Sequence, residues 1–243
     1  MRAARFFVDE PLAINTRIVL PEGVAHHALR VMRLREGDPI VLFNGTSGEF
    51  AARLSVTGSH AYASIDTFVA IERESPLRMT LVQSWVAADK LEWTIEKAVE
   101  LGVYSILLAP AQRCVVRLTG DRLGKRIEHL RELIVAACAQ CGRNRLPHIE
   151  ASPTLAASLR AGLSGNMRGV LLHPNADTSL AKTPVADGVA IAVGPEGGFD
   201  DDEVTLAHQL GYAAYRLGPR VLRTETAGLA ALAALQTVGG DFS

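Results

Sequence analysis

Near residue 75 the hydrophobic pattern of this chain changes period, and that change restricts its fold more than any other feature. Before it, short apolar stretches at 17–20, 39–43, 49–56 and 61–70 are separated by turn signals. Asn44-Gly45 and Ser47-Gly48 suggest a hairpin, and Gly37-Asp38 marks another turn. Residues 25–34 read as a short helix, and the whole of 1–73 as a small β-barrel or sandwich. Residues 72–76 (ERESP) read as a linker.

After the linker, strands and helices alternate. Strands are expected at 79–86, 104–109, 170–172, 189–193 and 213–217. Leu91, Ile95, Ala98 and Val99 recur at helical spacing and stop at Gly102. A second helix spans 124–140, with Ile127, Leu130, Ile134, Ala137 and Cys138 on one face. Further helices are expected at 201–210 and 226–237. This alternation predicts an α/β domain with a mainly parallel sheet over 74–243. A chain of 243 residues, 48% hydrophobic and 21% charged, is long enough for two unequal domains with real cores. The apolar run 189–193 falls far short of the roughly 20 residues a membrane-spanning helix needs. The N-terminal stretch meets Asp9 and Glu10 before any apolar segment develops, so no secretory leader is expected. Three cysteines, Cys114, Cys138 and Cys141, are too few for a disulfide framework and fit a reduced, cytoplasmic setting.

Two loops carry the strongest chemical signal. In VGPEGGFD at 193–200, a buried-type strand runs into a glycine-rich turn. A helix opens after Asp200 with Glu203 three residues on, the pattern of a capping box. Glycines let backbone N–H groups approach a ligand, and the carboxyl end of a strand is where open α/β sheets bind one. The same stretch also reads as an ordinary strand-to-helix turn. In LGPRVLRTETA at 217–227, Gly-Pro forces a turn, Thr224 is a candidate N-cap, and Arg220 and Arg223 fall in the loop. Loop arginines suit anions or base edges, or simply line a helix entry. Neither a P-loop nor a Gly-x-Gly-x-x-Gly fingerprint is present.

The net charge is −1, so a basic surface must be local. Between 113 and 145 eight basic residues stand against three acids, a local +5. Phosphate contacts need such a patch, although a solvated helix face explains one equally well. Cys138-Ala139-Gln140-Cys141 matches C-x-x-C, and reduced structural thiols are the expectation, since zinc would need His129 or His148 and no thioredoxin-like context is present. His26-His27 and His173-Pro174 read as packed histidines, with His173 placed to line the ligand crevice.

These loops resemble the cofactor loops of the SPOUT methyltransferases, and within that class the bacterial 16S rRNA (uracil-N3)-methyltransferases, the RsmE family. Residues 96–103 resemble that family's KxxELG helix, 137–145 its CEQCGR segment, and 26–34 a stretch of its N-terminal domain. The resemblance covers nearly the whole chain. It implies a PUA-like RNA-binding β-barrel over 1–73 and a SPOUT domain with a trefoil knot over 74–243, in a homodimer. The implied reaction is transfer of a methyl group from S-adenosylmethionine to uridine N3 in the small ribosomal subunit, with no metal. The implied cofactor contacts are Leu172, His173, Gly194, Pro195, Glu196, Gly197, Gly198, Leu217, Gly218, Val221, Leu222, Arg223, Thr224 and Thr226. RNA would meet His26, Arg30, Arg33, Lys90, Arg113, Arg143, Arg145 and Arg220. Loss of the N3 proton puts negative charge on the uracil oxygens, for which Arg223 is the first stabilising candidate and Arg220 the second. Glu196 and Glu225, the only carboxylates in the two loops, are the candidate proton acceptors, with bracing of the loop as the alternative role of each. The competing readings are a SPOUT enzyme of other specificity, such as ribose 2′-O, and a non-catalytic RNA-binding ribosome-assembly factor.

Overall fold

The computed structural model describes residues 3–58, 60–182 and 188–242. Met1 and Arg2, which open the stretch read for a leader, lie outside the described residues. The chain forms two compact units: residues 1–74 with 138–146, and residues 75–137 with 147–243.

In the first unit five strands, β1 (Ala4–Phe7), β2 (Arg17–Val19), β3 (Pro39–Phe43), β4 (Glu49–Thr57) and β5 (His60–Val69), form a sheet ordered β1-β3-β4-β5-β2. Only β1 and β3 pair in parallel. Alternation decides what is inside: Phe50, Ala52 and Leu54 of β4 are buried with Phe6, Ile40, Leu42, Ala63 and Ile65 in one core. β1 had no sequence signal of its own, because only Phe6 of its four residues is buried and its pairing partner lies more than thirty residues away.

The single helix expected over 25–34 is instead α1 (Glu22–His26) followed by a π-helical turn, His27–Val31. The wider turn keeps Ala28 fully buried while Arg30, Val31 and Met32 reach solvent, and Arg33 follows in the left-handed region at φ 56°.

The stretch 72–76, read as linker, is held at Glu72, Arg73 and Glu74 by ion pairs. Arg145 Nε donates to Glu72 at 2.8 Å, Arg73 donates to Glu49 at 3.0 Å and to the Gly142 carbonyl at 2.9 Å, and Arg143 grips Glu74. Arg5 also pairs with Glu49. Burial raises the Glu49 carboxyl, but Arg73 and Arg5 outweigh it and hold the group below its ordinary 4.5. Its stabilising contribution is therefore complete above 4.5 and is lost as pH falls through the lowered folded value. Stability of the first unit should fall as the pH drops below 4.5. Chemical unfolding across that range should show a smaller drop in Glu49→Gln; an identical drop would refute the assignment.

The second unit is a six-stranded sheet of β6 (Arg78–Ser84), β7 (Ser105–Ala109), β8 (His148–Ala151), β9 (Arg168–Leu172), β10 (Gly188–Val193) and β11 (Tyr212–Tyr215). The order is β11-β9-β10-β6-β7-β8 and every neighbouring pair is parallel. The helices are α2 (Ala88–Glu100), α3 (Gly120–Cys141), α4 (Leu155–Gly162), α5 (Asp201–Gln209) and α6 (Thr224–Gly239). β10 lies between two strands and all six of its residues are buried, which explains its uninterrupted apolar run. α2 buries Leu91, Thr94, Ile95, Ala98 and Val99 and ends before Gly102, whose φ of 78° suits glycine. Chain order runs outward from β6 to β8, then restarts at β9 and places β10 against β6. Such a reversal opens a crevice at the carboxyl ends of the strands. β8 and α4 were not anticipated: β8 fully buries only Ile149 of its four residues, and α4 is a short helix capped by the Thr154 hydroxyl, which accepts from Ala157 N at 3.2 Å. No helix among the described residues is long and apolar enough to cross a membrane.

Candidate active site

At the carboxyl ends of β9, β10 and β11 lies a cavity of about 590 Å³, within the size range of small-molecule sites. The loop after β10 and the loop after β11, distant in sequence, form facing walls of it.

The first wall, Gly194–Phe199, is braced from four sides. Lys90 Nζ of α2 donates to Glu196 Oε1 at 3.1 Å. Arg113, beyond β7, donates to the Gly197 carbonyl at 2.8 Å. Thr224 Oγ1 at the start of α6 donates to the Gly194 carbonyl at 2.6 Å. Asp200 and Glu203 form the expected capping box of α5, and Glu203 also accepts from Gln112 N at 2.8 Å. Glycine is required at 194, because a Cβ there would stand 2.9 Å from the Phe199 backbone nitrogen. Gly198 turns the chain at φ 71°.

The second wall departs from expectation in one respect. Arg223, not Thr224, is the N-cap of α6, and it makes no side-chain cap. The hydroxyl of Thr224 is committed to the other loop instead, so the residue ties two walls together rather than capping a helix. Arg220 and Arg223 are exposed on the cavity lining, and neither guanidinium has a carboxylate partner among the described residues. Val221 between them is 82% exposed, while Leu172, Val193 and Leu222 supply apolar lining. His173 N donates to the Tyr215 carbonyl at 2.9 Å, and its Nδ1 accepts from Asn175 N at 3.3 Å, which fixes the ring at the cavity edge.

The two loop carboxylates differ. Burial raises the Glu196 carboxyl, but its own backbone amide and Lys90 hold it below the usual range. It stays ionised as a brace, a poor match for a group that must take up a proton. Glu225, in the first turn of α6, lines the cavity with a buried Oε2 that has no hydrogen-bond partner among the described residues. Buried acceptors are rarely left unpaired, so this oxygen fits a donor supplied by a bound molecule.

Of the cofactor contacts expected from sequence, all but Gly218 and Thr226 line this cavity. Pro174, Phe199, Tyr215 and Ala227 also line it; Phe199 and Ala227 fall within the two loop motifs, whereas Tyr215 is brought there only by the end of its strand.

The residues expected to meet RNA fall into three groups. Lys90, Arg113 and Arg220 lie on the cavity itself, the first two already holding the glycine loop. His26, Arg30 and Arg33 are exposed in the first unit, where none has an ion pair among the described residues. Arg145 is exposed and paired with Glu72. Arg143 is a correction: it is only 4% exposed and makes two hydrogen bonds to Glu74, so its guanidinium is directed inward rather than toward phosphate. Within the basic block Arg126 is likewise engaged by Glu92, whereas Arg122, Lys125 and Arg131 are exposed without an ion pair among the described residues. All three cysteines are free thiols, and burial pushes that of Cys138 up to about 12, far from a reactive thiolate.

Residues 73–236 match the RNA methyltransferase domain family, and residues 20–66 match the RNA methyltransferase PUA domain family. The chain belongs to the RNA methyltransferase family. Its curated relatives include the ribosomal RNA small subunit methyltransferase E of Buchnera aphidicola subsp. Schizaphis graminum, 31% identical over 100% of this chain and 99% of the relative. Among solved structures, a methyltransferase from Legionella pneumophila in complex with SAM is 32% identical with a TM-score of 0.91. The ribosomal RNA small subunit methyltransferase E of Neisseria gonorrhoeae, bound to S-adenosyl methionine, is 35% identical with a TM-score of 0.89. Both cover 100% of this chain and of their own. The family membership and these likenesses accord with the PUA-like first unit and the mainly parallel α/β second unit expected from sequence.

Proposed function

We propose that this protein transfers a methyl group from S-adenosylmethionine to N3 of a uridine in the 16S rRNA of the small ribosomal subunit. The observation that carries the reading is the cavity formed by the two loops at the strand ends, in a chain whose full-length structural relatives were solved with that cofactor. The fit is physical. Gly194 and Gly198 bring backbone close to the cavity, Leu172, Val193 and Leu222 offer an apolar face for an adenine, and the unpaired Glu225 Oε2 awaits a donor.

When bound, the cofactor supplies a methyl group on a positively charged sulfur. The remaining work falls to the chain. Leu172, His173, Leu217 and the 194–198 loop hold the cofactor, with Lys90 and Arg113 keeping that loop rigid. The target uracil must be unpaired, because N3 lies on its Watson–Crick edge. Glu225 accepts the N3 proton, and Arg223, assisted by Arg220, stabilises the negative charge that spreads to the uracil oxygens in a site poor in water. RNA is held by the basic surface of Arg122, Lys125 and Arg131, together with His26, Arg30 and Arg33 of the first unit. The expected boundary at 73/74 is adjusted for residues 138–146, which pack with the first unit: residues 1–74 with 138–146 serve as the RNA-binding domain, and 75–137 with 147–243 as the methyltransferase domain. A trefoil knot, a homodimer and a cytoplasmic location are parts of the same proposal. Ala234 and Val238 on the outer face of α6 remain exposed and suit a subunit contact, which sedimentation of the purified protein tests.

Small ribosomal subunits lacking the modification, incubated with labelled S-adenosylmethionine, should yield labelled N3-methyluridine on nucleoside analysis. Label in another nucleoside would retain the cofactor and discard the specificity. Glu225→Gln, which keeps size and loses basicity, should lower kcat by roughly 10²–10⁴-fold and steepen its rise with pH. An unchanged kcat would remove Glu225 from the proton path.

A further inference from the structure

Beneath the cavity, one buried side chain touches neither the cavity nor solvent yet connects its two walls. Gln83, near the end of β6, is fully buried and sits in parallel register opposite Val193, the residue before the glycine loop. Its Nε2 donates to Thr224 Oγ1 at 3.1 Å and to the Ser84 carbonyl at 3.2 Å. The orientation of the amide follows from its partners. Thr224 has one hydroxyl proton, which goes to the Gly194 carbonyl at 2.6 Å, so its oxygen can only accept from Gln83. The Ser84 carbonyl also only accepts. Both demands require the NH₂ end of the amide, which leaves Gln83 Oε1 buried without a partner among the described residues. An orphaned buried acceptor is costly, so an ordinary apolar core residue would have served packing better.

We propose that Gln83 is a positioning residue: through Thr224 it fixes the start of α6 against the Gly194 carbonyl, and so sets the separation of the two loops that form the cavity. The chain Gln83–Thr224–Gly194 spans three elements, β6, α6 and the loop after β10, and crosses from one wall to the other. In a low-dielectric interior, linked hydrogen bonds of this kind hold one arrangement more firmly than their separate strengths suggest. Loss of the amide lets the Thr224 hydroxyl rotate, and both loops lose their common anchor.

The inference rests on the cofactor reading in one arm of its test only. Gln83→Met keeps the length of the side chain and removes its donor. In the ligand-free protein, hydrogen exchange at the amides of 194, 196–199 and 224–227 should accelerate by about tenfold while amides of β7 stay unchanged. In the second arm, calorimetry of S-adenosylmethionine binding should show roughly tenfold weaker affinity in Gln83→Met and in Thr224→Val, with the double variant no weaker than the worse single one. Faster exchange across the whole sheet, unchanged exchange in the loops, or affinity losses that multiply would each overturn the proposal. Should Gln83→Met fail to fold, Thr224→Val must show the same local acceleration. If the wild-type protein binds no S-adenosylmethionine, the proposed function fails, and the exchange arm alone decides the role of Gln83.

Discussion

Arg223→Ala is expected to lower kcat for methyl transfer by roughly 10²–10³-fold and to leave cofactor affinity within about twofold. The fold should survive the change, because what Arg223 gives to the structure is backbone. Its carbonyl accepts from Thr226 N at 3.0 Å and Ala227 N at 2.8 Å, and its N-cap dihedrals of −64° and 153° suit alanine. The guanidinium is exposed on the cavity lining with no carboxylate partner among the described residues. A charge held unpaired there opposes the negative charge of a deprotonated uracil and has little to offer a positively charged sulfonium. Single-turnover rates at saturating RNA, set beside calorimetric affinity for S-adenosylmethionine, separate the alternatives. Equal loss in both would make Arg223 a cofactor ligand.

The second large effect concerns stability. Arg143→Ala should destabilise the first unit by about 3–5 kcal/mol, the range for breaking a buried ion pair from one side. Arg143 is 4% exposed, and its Nε donates to Glu74 Oε1 at 2.9 Å while Nη2 pairs with Oε2. Its neighbour Asn144, fully buried, accepts from Arg5 at 2.6 Å and donates to the Ile71 carbonyl at 3.1 Å, so the same segment is stitched to two others. Removing the guanidinium strands the Glu74 carboxylate, whose side chain is 18% exposed. Arg145→Ala is the control. Its pair with Glu72 is half exposed, and the loss should stay within about 1 kcal/mol. Urea unfolding measures both. If Arg143→Ala unfolds like wild type and only weakens RNA binding, the residue belongs to the RNA surface after all.

Much of the second unit was legible because its signals are local. β10 is a buried run bounded by glycines, α2 repeats every three or four residues and stops at Gly102, and the Asp200–Glu203 capping box is written in adjacent residues. The site was legible to the same extent: both loops bear punctuation that only a turn at a strand end explains, and both line one cavity. β1 and β8 were missed because each fully buries a single residue and exists through its pairing with β3 or β7. The π-turn at His27–Val31 was read as plain helix because its apolar spacing differs by only one residue.

Charge was the hardest feature to read, since sequence counts arginines without showing where their partners are. Arg143 and Arg145 are two residues apart, and one is buried while the other is exposed. Lys90 and Arg113, expected to meet RNA, also hold the glycine loop, through a carboxylate and a carbonyl about a hundred residues downstream. The alternation of strands and helices, the two glycine-bearing loops and the residue types available for chemistry follow from local sequence, since period, turn propensity and capping act over a few residues. Which charges are paired, which Glu is braced and which has an unpaired oxygen, and the reach of Gln83 to Thr224 all come from the packed fold, because hydrogen bonds and ion pairs depend on ångström distances between segments far apart in the chain.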